Sequence, residues 1–103
     1  MKLQIDTLKL SVIVPCYNEK DTIEGVIASI RDCGIKNLEI IIVEDCSTDG
    51  TREFLKEKVG ATVEKVLYHK VNRGKGAALR NGFKAATGDL VVIQDADMEY
   101  DPR

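Results

Sequence analysis

Four acids, Asp95, Asp97, Glu99 and Asp101, occupy alternate positions in the segment VVIQDADMEYDPR. Two carboxylates about 4–6 Å apart repel by roughly 3–4 kcal/mol at an effective dielectric near 20. Only Ala96 separates Asp95 from Asp97, so little shields the pair if both turn inward. A hard divalent cation removes that repulsion and bridges to phosphate oxygens, where it neutralises charge on a leaving diphosphate. The bland alternative is an acidic strand end solvated by water, and spacing alone does not separate the two. EF-hand calcium loops are excluded. In DADMEYDPR, Tyr100 stands at the glycine position and the final bidentate acid is missing. In DCSTDG, from Asp45 to Gly50, the loop begins correctly but Lys56 stands where that acid is required.

Other short stretches carry residues that a core does not request. In CYNE, from Cys16 to Glu19, Tyr17 offers a ring that stacks on a base or merely covers a sheet edge, and Glu19 a charge near a helix start. In EDCSTDG, Asp45 offers acceptors to a base or ribose, whereas Ser47, Thr48 and Asp49 are of the types that cap helices. In NRGKG, from Asn72 to Gly76, two glycines and a helix start aim N–H groups at an anion, and Arg73 and Lys75 add charge. Taken alone, the same loop reads more readily as a helix cap. It is no Walker A motif, and Leu79 replaces the third glycine of a dinucleotide fingerprint. His69, the only histidine, reads as a loop residue.

The elements that must position these groups follow from hydrophobic periodicity. Met1–Lys9 alternates weakly and reads as a lead-in, with a single domain from residue 10 to 103. LSVIVP (Leu10–Pro15) is rich in β-branched residues and predicts a strand stopped by proline. Asp21 with Glu24 predicts a capping box, followed by Ile23, Val26, Ile27 and Ile30 on one helix face and Gly34 at its end. LEIIIV (Leu38–Val43) is nearly all apolar, as a strand covered on both faces must be. Ser47 or Thr48 is expected to cap a second helix through about Lys58, closed by Gly60, with Phe54 and Leu55 turned inward. Thr62–Tyr68 predicts a third strand nearer an edge, Ala77–Ala86 a third helix and Leu90–Gln94 a fourth strand.

The order β-α-β-α-β-α-β implies an α/β fold, an open and mostly parallel sheet with helices on both faces. Ligands of such sheets bind outside the carboxyl ends of the strands, where strand order reverses. The unusual residues after the first, second and fourth strands all fall on that edge. Random scatter would have sent about half to the other edge, so the convergence argues for one binding site.

Composition narrows the class. The 103 residues suit one small domain, 44% hydrophobic and 31% charged. Apolar runs such as Ile40–Val43 fall far short of a membrane span, and MKLQIDTLKL has no apolar signal region. The net charge of −2 argues against nucleic acid as a partner. Three cysteines without a C-x-x-C favour neither a disulfide framework nor a zinc site and suit a reduced, cytoplasmic compartment. Cys16 and Cys46 read as small filler residues.

Taken in order, PCYNE (Pro15–Glu19), VEDCSTDGT (Val43–Thr51), NRGKGAALRNG (Asn72–Gly82) and ATGDLVVIQDAD (Ala86–Asp97) resemble a family 2 glycosyltransferase of the GT-A fold. Within it, the dolichyl-phosphate mannose synthase group and its bacterial polyprenyl-phosphate relatives are the most similar. The resemblance runs from about Leu10 to Arg103 and implies the nucleotide-binding, Rossmann-like half of that fold. It implies that Pro15, Tyr17, Asn18 and Glu19 contact the donor nucleotide, that Asp45 binds the base beside Val43, and that Gly74 and Lys75 lie near the nucleotide. Glu44 stands where the first acid of the family's D-D-x-S motif is more usually Asp. The D-x-D motif falls on Asp95, Ala96 and Asp97. Asp97 is expected to hold the metal, with Glu99 as a further oxygen ligand, and Asp95 to hold the sugar-nucleotide or to join the metal.

What the resemblance implies is an Mg²⁺- or Mn²⁺-dependent, inverting hexosyl transfer from a GDP- or UDP-linked sugar, with a lipid phosphate at the membrane surface as acceptor. The full-length protein would then sit on the cytoplasmic face of the membrane. No residue up to Arg103 matches the family's catalytic base, which is expected beyond it. The chain therefore reads as a fragment, inactive alone and prone to self-association through uncovered apolar surface. Two other classes compete. A sugar nucleotidyltransferase shares a similar sheet but usually carries a glycine- and basic-rich loop where this chain has CYNEKD. A non-catalytic nucleotide- or metal-binding fragment is the other.

Overall fold

The computed structural model describes residues 8–96. Asp97, Glu99 and Asp101 lie outside the described residues. The element order is β1 (Leu10–Cys16), α1 (Ile23–Arg31), β2 (Leu38–Glu44), α2 (Thr51–Phe54), β3 (Lys65–Tyr68), α3 (Lys75–Ala85) and β4 (Leu90–Ile93). A π-helical turn, Leu55–Val59, and a 3₁₀ turn, Gly60–Thr62, prolong α2. The strands form a single parallel sheet in the order β3-β2-β1-β4, so the expected α/β architecture is present.

All seven residues of β2 are buried, which explains its unbroken apolar run. Alternate side chains feed two cores. Val12, Val14, Ile40 and Ile42 face Ile23, Val26, Ile27, Leu55 and Val59. Ile13, Ile41 and Val43 face Ala78 of α3. Each such buried Ile or Val contributes about 2 kcal/mol of hydrophobic transfer. The helix α3 sits so close to β1 that a Cβ on Gly82 would lie 2.5 Å from Ile13 Cγ2.

Helix starts differ from the sequence expectation, and the hydroxyl side chains beside the first two bond across the fold. The capping box of Asp21 and Glu24 does not form; α1 starts at Ile23 after Thr22, which makes no side-chain cap. The Thr22 hydroxyl donates instead to Ala96 O (2.6 Å) on the chain leaving β4. Ser47 and Thr48 do not cap α2. Ser47 Oγ accepts the Asn18 N–H (2.9 Å) and the Thr48 N–H donates to Asn18 Oδ1 (2.8 Å), stapling the loops after β1 and β2 together. Asp49 does the capping, accepting the Thr51 N–H at 2.9 Å. The third strand is shorter than expected because Gly60–Thr62 coil into the 3₁₀ turn, and it lies at an edge as anticipated.

At the amino-terminal end of the sheet, Glu39 is 3% exposed yet ionic. Its carboxylate accepts from the Ser11 hydroxyl (2.6 Å), the Thr87 N–H (2.8 Å) and the Thr87 hydroxyl (2.8 Å), and pairs with Lys65 Nζ (3.2 Å) and Lys9 Nζ (3.6 Å). Lys9, assigned from sequence to the lead-in, is thus an anchor for β4. Burial acts to raise the Glu39 pKa, but the hydrogen bonds from Ser11, Thr87 and Lys65 outweigh it and hold the group at about 2. A depressed carboxyl stabilises the fold above its unfolded pKa, near 4.5, and the contribution disappears as pH falls toward 2. The difference corresponds to about 3 kcal/mol. We expect Glu39→Gln to lower stability at pH 7 by about 2–3 kcal/mol and to flatten the loss between pH 4.5 and 2. Urea unfolding at pH 7, 4 and 2.5 checks this; parallel pH profiles for the two proteins would contradict it.

Candidate functional site

The sheet order reverses between β1 and β4: the chain steps outward from β1 to β3, and α3 then carries it back to the far side of β1. A cleft of about 360 Å³ opens at the carboxyl ends of these strands. That is within the usual size of small-molecule sites. Pro15, Tyr17 and Glu19 line it from the end of β1, Asp45 from β2, Gly74 and Lys75 from the start of α3, and Asp95 and Ala96 from β4. Cys16, Asn72 and Ala78, which sequence reasoning did not place in the site, complete the wall. Asn18 and Val43 are not in the lining. Asn18 braces the loop behind it from a left-handed backbone (φ 54°), and Val43 is wholly buried in the core below.

Asp45 is the most constrained group. It is 5% exposed, and its Oδ1 accepts from His69 Nδ1 (2.8 Å) and the Arg73 N–H (2.8 Å), while Oδ2 accepts the Gly74 N–H (2.9 Å). The Asp45 carbonyl also accepts from Asn72 Nδ2 (3.3 Å). The anion that the NRGKG amides embrace is therefore this side chain. Burial tends to raise the Asp45 pKa, but the bonds from Arg73, His69 and Gly74 prevail and hold it below the ordinary carboxylate range. His69 lies in the loop just past β3, as expected, yet it is only 7% exposed, and its Nε2 accepts from Asn81 Nδ2 (2.8 Å). A polar pair twelve residues apart, on a strand end and a helix, leaves no local signal for a sequence reading to find.

At the cleft mouth Lys75 Nζ pairs with Asp95 Oδ1 (2.7 Å), both side chains more than half exposed. Tyr17 presents its ring at 44% exposure. Glu19 Oε2 lies 3.1 Å from the Thr22 hydroxyl. Glu44, the neighbour of Asp45, points to the opposite side: Oε1 accepts the Ser47 N–H (2.7 Å) and Oε2 lies 3.7 Å from Arg52 Nη1. Burial, then the Glu44 charge, push the Cys16 thiol up to about 12, so it stays protonated and serves as filler. All three cysteines are free. Among the described residues no three His, Cys, Asp or Glu side chains gather as a metal site, and no helix is long and apolar enough to cross a membrane. Of the expected metal ligands, only Asp95 falls within the described residues.

The family model described as glycosyl transferase family 2 matches residues 11–103. The chain belongs to that family. It is 37% identical over 97 residues to the dolichol-phosphate mannosyltransferase of Pyrococcus furiosus, covering 92% of this chain and 27% of that protein. Among solved structures it resembles the mannosyltransferase PcManGT from Pyrobaculum calidifontis in complex with GDP-Man and Mn²⁺. The TM-score is 0.79 at 34% identity, over 87% of this chain and 28% of that one. It also resembles S. aureus TarS 1-349 in complex with UDP-GlcNAc, with a TM-score of 0.76 at 31% identity, over 87% of this chain and 27% of that one. The chain thus spans little more than a quarter of the length of these relatives. Its parallel sheet is part of a GT-A fold.

One backbone position in this family 2 glycosyltransferase chain ties the cleft together. Gly74 has φ 88° and ψ 163°, a region open essentially to glycine alone. A Cβ there would meet nothing within 4 Å, so the constraint is conformational rather than steric crowding. We expect Gly74→Ala to cost about 1–3 kcal/mol. An unfolding midpoint in urea equal to that of the parent protein would refute the assignment.

Proposed function

We propose that residues 10–103 form the donor-binding region of a glycosyltransferase that holds a nucleotide-diphosphate sugar with a divalent cation for inverting sugar transfer. The observation that carries this reading is the convergence of Tyr17, Glu19, Asp45, Lys75 and Asp95 on one cleft at the β1–β4 switch point. In it Tyr17 stacks on the base. A carboxylate offers about four acceptor positions. Three on Asp45 are used within the described residues, leaving one on Oδ2 for an N–H of uracil or guanine or for a ribose hydroxyl. Lys75 meets the diphosphate. Asp95, with Asp97 and Glu99, would hold Mg²⁺ or Mn²⁺, which when bound neutralises charge on the departing diphosphate. The base that deprotonates the acceptor would be supplied from outside these residues. The similarity to a dolichol-phosphate mannosyltransferase supports a polyprenyl phosphate as acceptor, and hence a full-length protein docked on the cytoplasmic face of a membrane.

Calorimetry with UDP and GDP, with and without Mn²⁺, tests the reading. We expect one nucleotide to bind with a metal-dependent Kd, and Asp95→Asn to weaken it about tenfold, the loss of one charge-assisted contact. Failure of both nucleotides to bind at millimolar concentration would leave the chain a non-catalytic fragment.

The edge strand β4 exposes Leu90 (53%), Val92 (45%) and Ile93 (45%). Unpaired apolar edges of this kind pair with other strands. We infer that the isolated chain self-associates there and expect sedimentation velocity at about 100 μM to show dimers or larger species. A single monomeric boundary would count against it.

A further inference from the structure

His69 is held from every side. Its N–H donates to Glu44 O (2.9 Å), extending the β2–β3 ladder, and its carbonyl accepts from Arg52 Nη1 (2.9 Å). With the main chain pinned, the ring spans Asp45 and Asn81, 2.8 Å from each. The Asn81 amide nitrogen can only donate, so Nε2 is the acceptor and the ring proton sits on Nδ1, aimed at Asp45 Oδ1. The bond that orients a histidine through its other nitrogen is what sets its tautomer. Asp45 in turn clasps the Arg73 and Gly74 amides and so places Lys75, the first residue of α3.

We infer that His69 and Asn81 are positioning residues for nucleotide recognition: Asn81 orients the imidazole, the imidazole fixes the Asp45 carboxylate, and Asp45 holds the Arg73–Lys75 loop against the cleft. Neither residue lines the cleft itself. The inference rests on the donor-site reading above, in which Asp45 and Lys75 face the nucleotide. Without the ring, Asp45 keeps only the two backbone donors, which belong to the loop it is meant to hold. The carboxylate and the loop can then swing together. This arrangement makes recognition depend on an α3 side chain that a donor never touches.

The chemistry suggests a clean dissection. The amide nitrogen of an asparagine at position 69 sits the same number of bonds from Cα as Nδ1, so His69→Asn can restore the donor to Asp45 while losing the Asn81 contact. His69→Ala removes both, and Asn81→Ala removes only the orienting bond. Two readouts are taken on each variant after circular dichroism confirms folding: hydrogen exchange of the Arg73 and Gly74 amides, and Kd for UDP and GDP with Mn²⁺ by calorimetry. We expect His69→Ala to speed exchange and weaken binding by about tenfold or more, the scale of one hydrogen bond to a charged group. His69→Asn should recover most of both, and Asn81→Ala should fall between. Unchanged exchange in folded His69→Ala overturns the inference, as does a His69→Asn protein no better than His69→Ala, which would mean that the ring acts only by packing. Altered exchange in the variants together with a parent chain that binds neither nucleotide would overturn the donor-site reading and with it the role in recognition.

Discussion

Parallel pairing of β1 with a neighbour on each side is the constraint from which the rest follows. Because β2 and β4 both run alongside β1 in the same sense, three strand ends deliver their following residues to one edge. Because α3 must cross from β3 to the far side of β1, the covering loops part between β1 and β4. The cleft is the space this crossing leaves. Tyr17, Asp45 and Asp95, distant in sequence, become neighbours for that topological reason alone.

Buried carboxylates then hold the two ends of the sheet. Glu39 gathers Ser11, Thr87 and two lysines at the amino-terminal end, joining the chain before β1 to the chain before β4. Asp45 gathers His69, Arg73 and Gly74 at the carboxyl end, joining the chain after β2 to the start of α3. An unpaired charge in either place would be costly to bury, whereas a carboxylate with several donors stays ionised and ties strands to loops. Glu44 shows the contrast. Its Oε2 has no hydrogen bond among the described residues and relies on Arg52 at 3.7 Å, a guanidinium also stacked over Tyr68.

Membership of glycosyltransferase family 2 fits this construction. A nucleotide-sugar site needs a face for a base, acceptors for its polar edge and charge for a diphosphate. In the proposed reading those demands fall to Tyr17, Asp45 and Lys75 with Asp95, which line one cleft. The apolar edge of β4 marks where the described sheet ends.

The sequence by itself determined the element order, the parallel sheet, the buried faces of α1 and β2 and the edge to which the unusual residues travel. These follow from periodicity and from the chirality of β-α-β connections, which are properties of the local chain. It also placed Tyr17, Glu19, Asp45, Lys75 and Asp95 at strand ends or helix starts. Only the tertiary structure decided what each polar side chain bonds to. Thr22, Ser47 and Thr48 have the chemistry of helix caps, yet each bonds across the fold to Ala96 or Asn18. Glu39 looks like an interruption of an apolar strand and is a buried hub; His69 looks like a loop residue and braces Asp45. A hydroxyl, an imidazole or a carboxylate accepts any partner of the right polarity within about 3 Å. Which partner that is depends on distances between segments far apart in the chain, and those exist only once the sheet has formed.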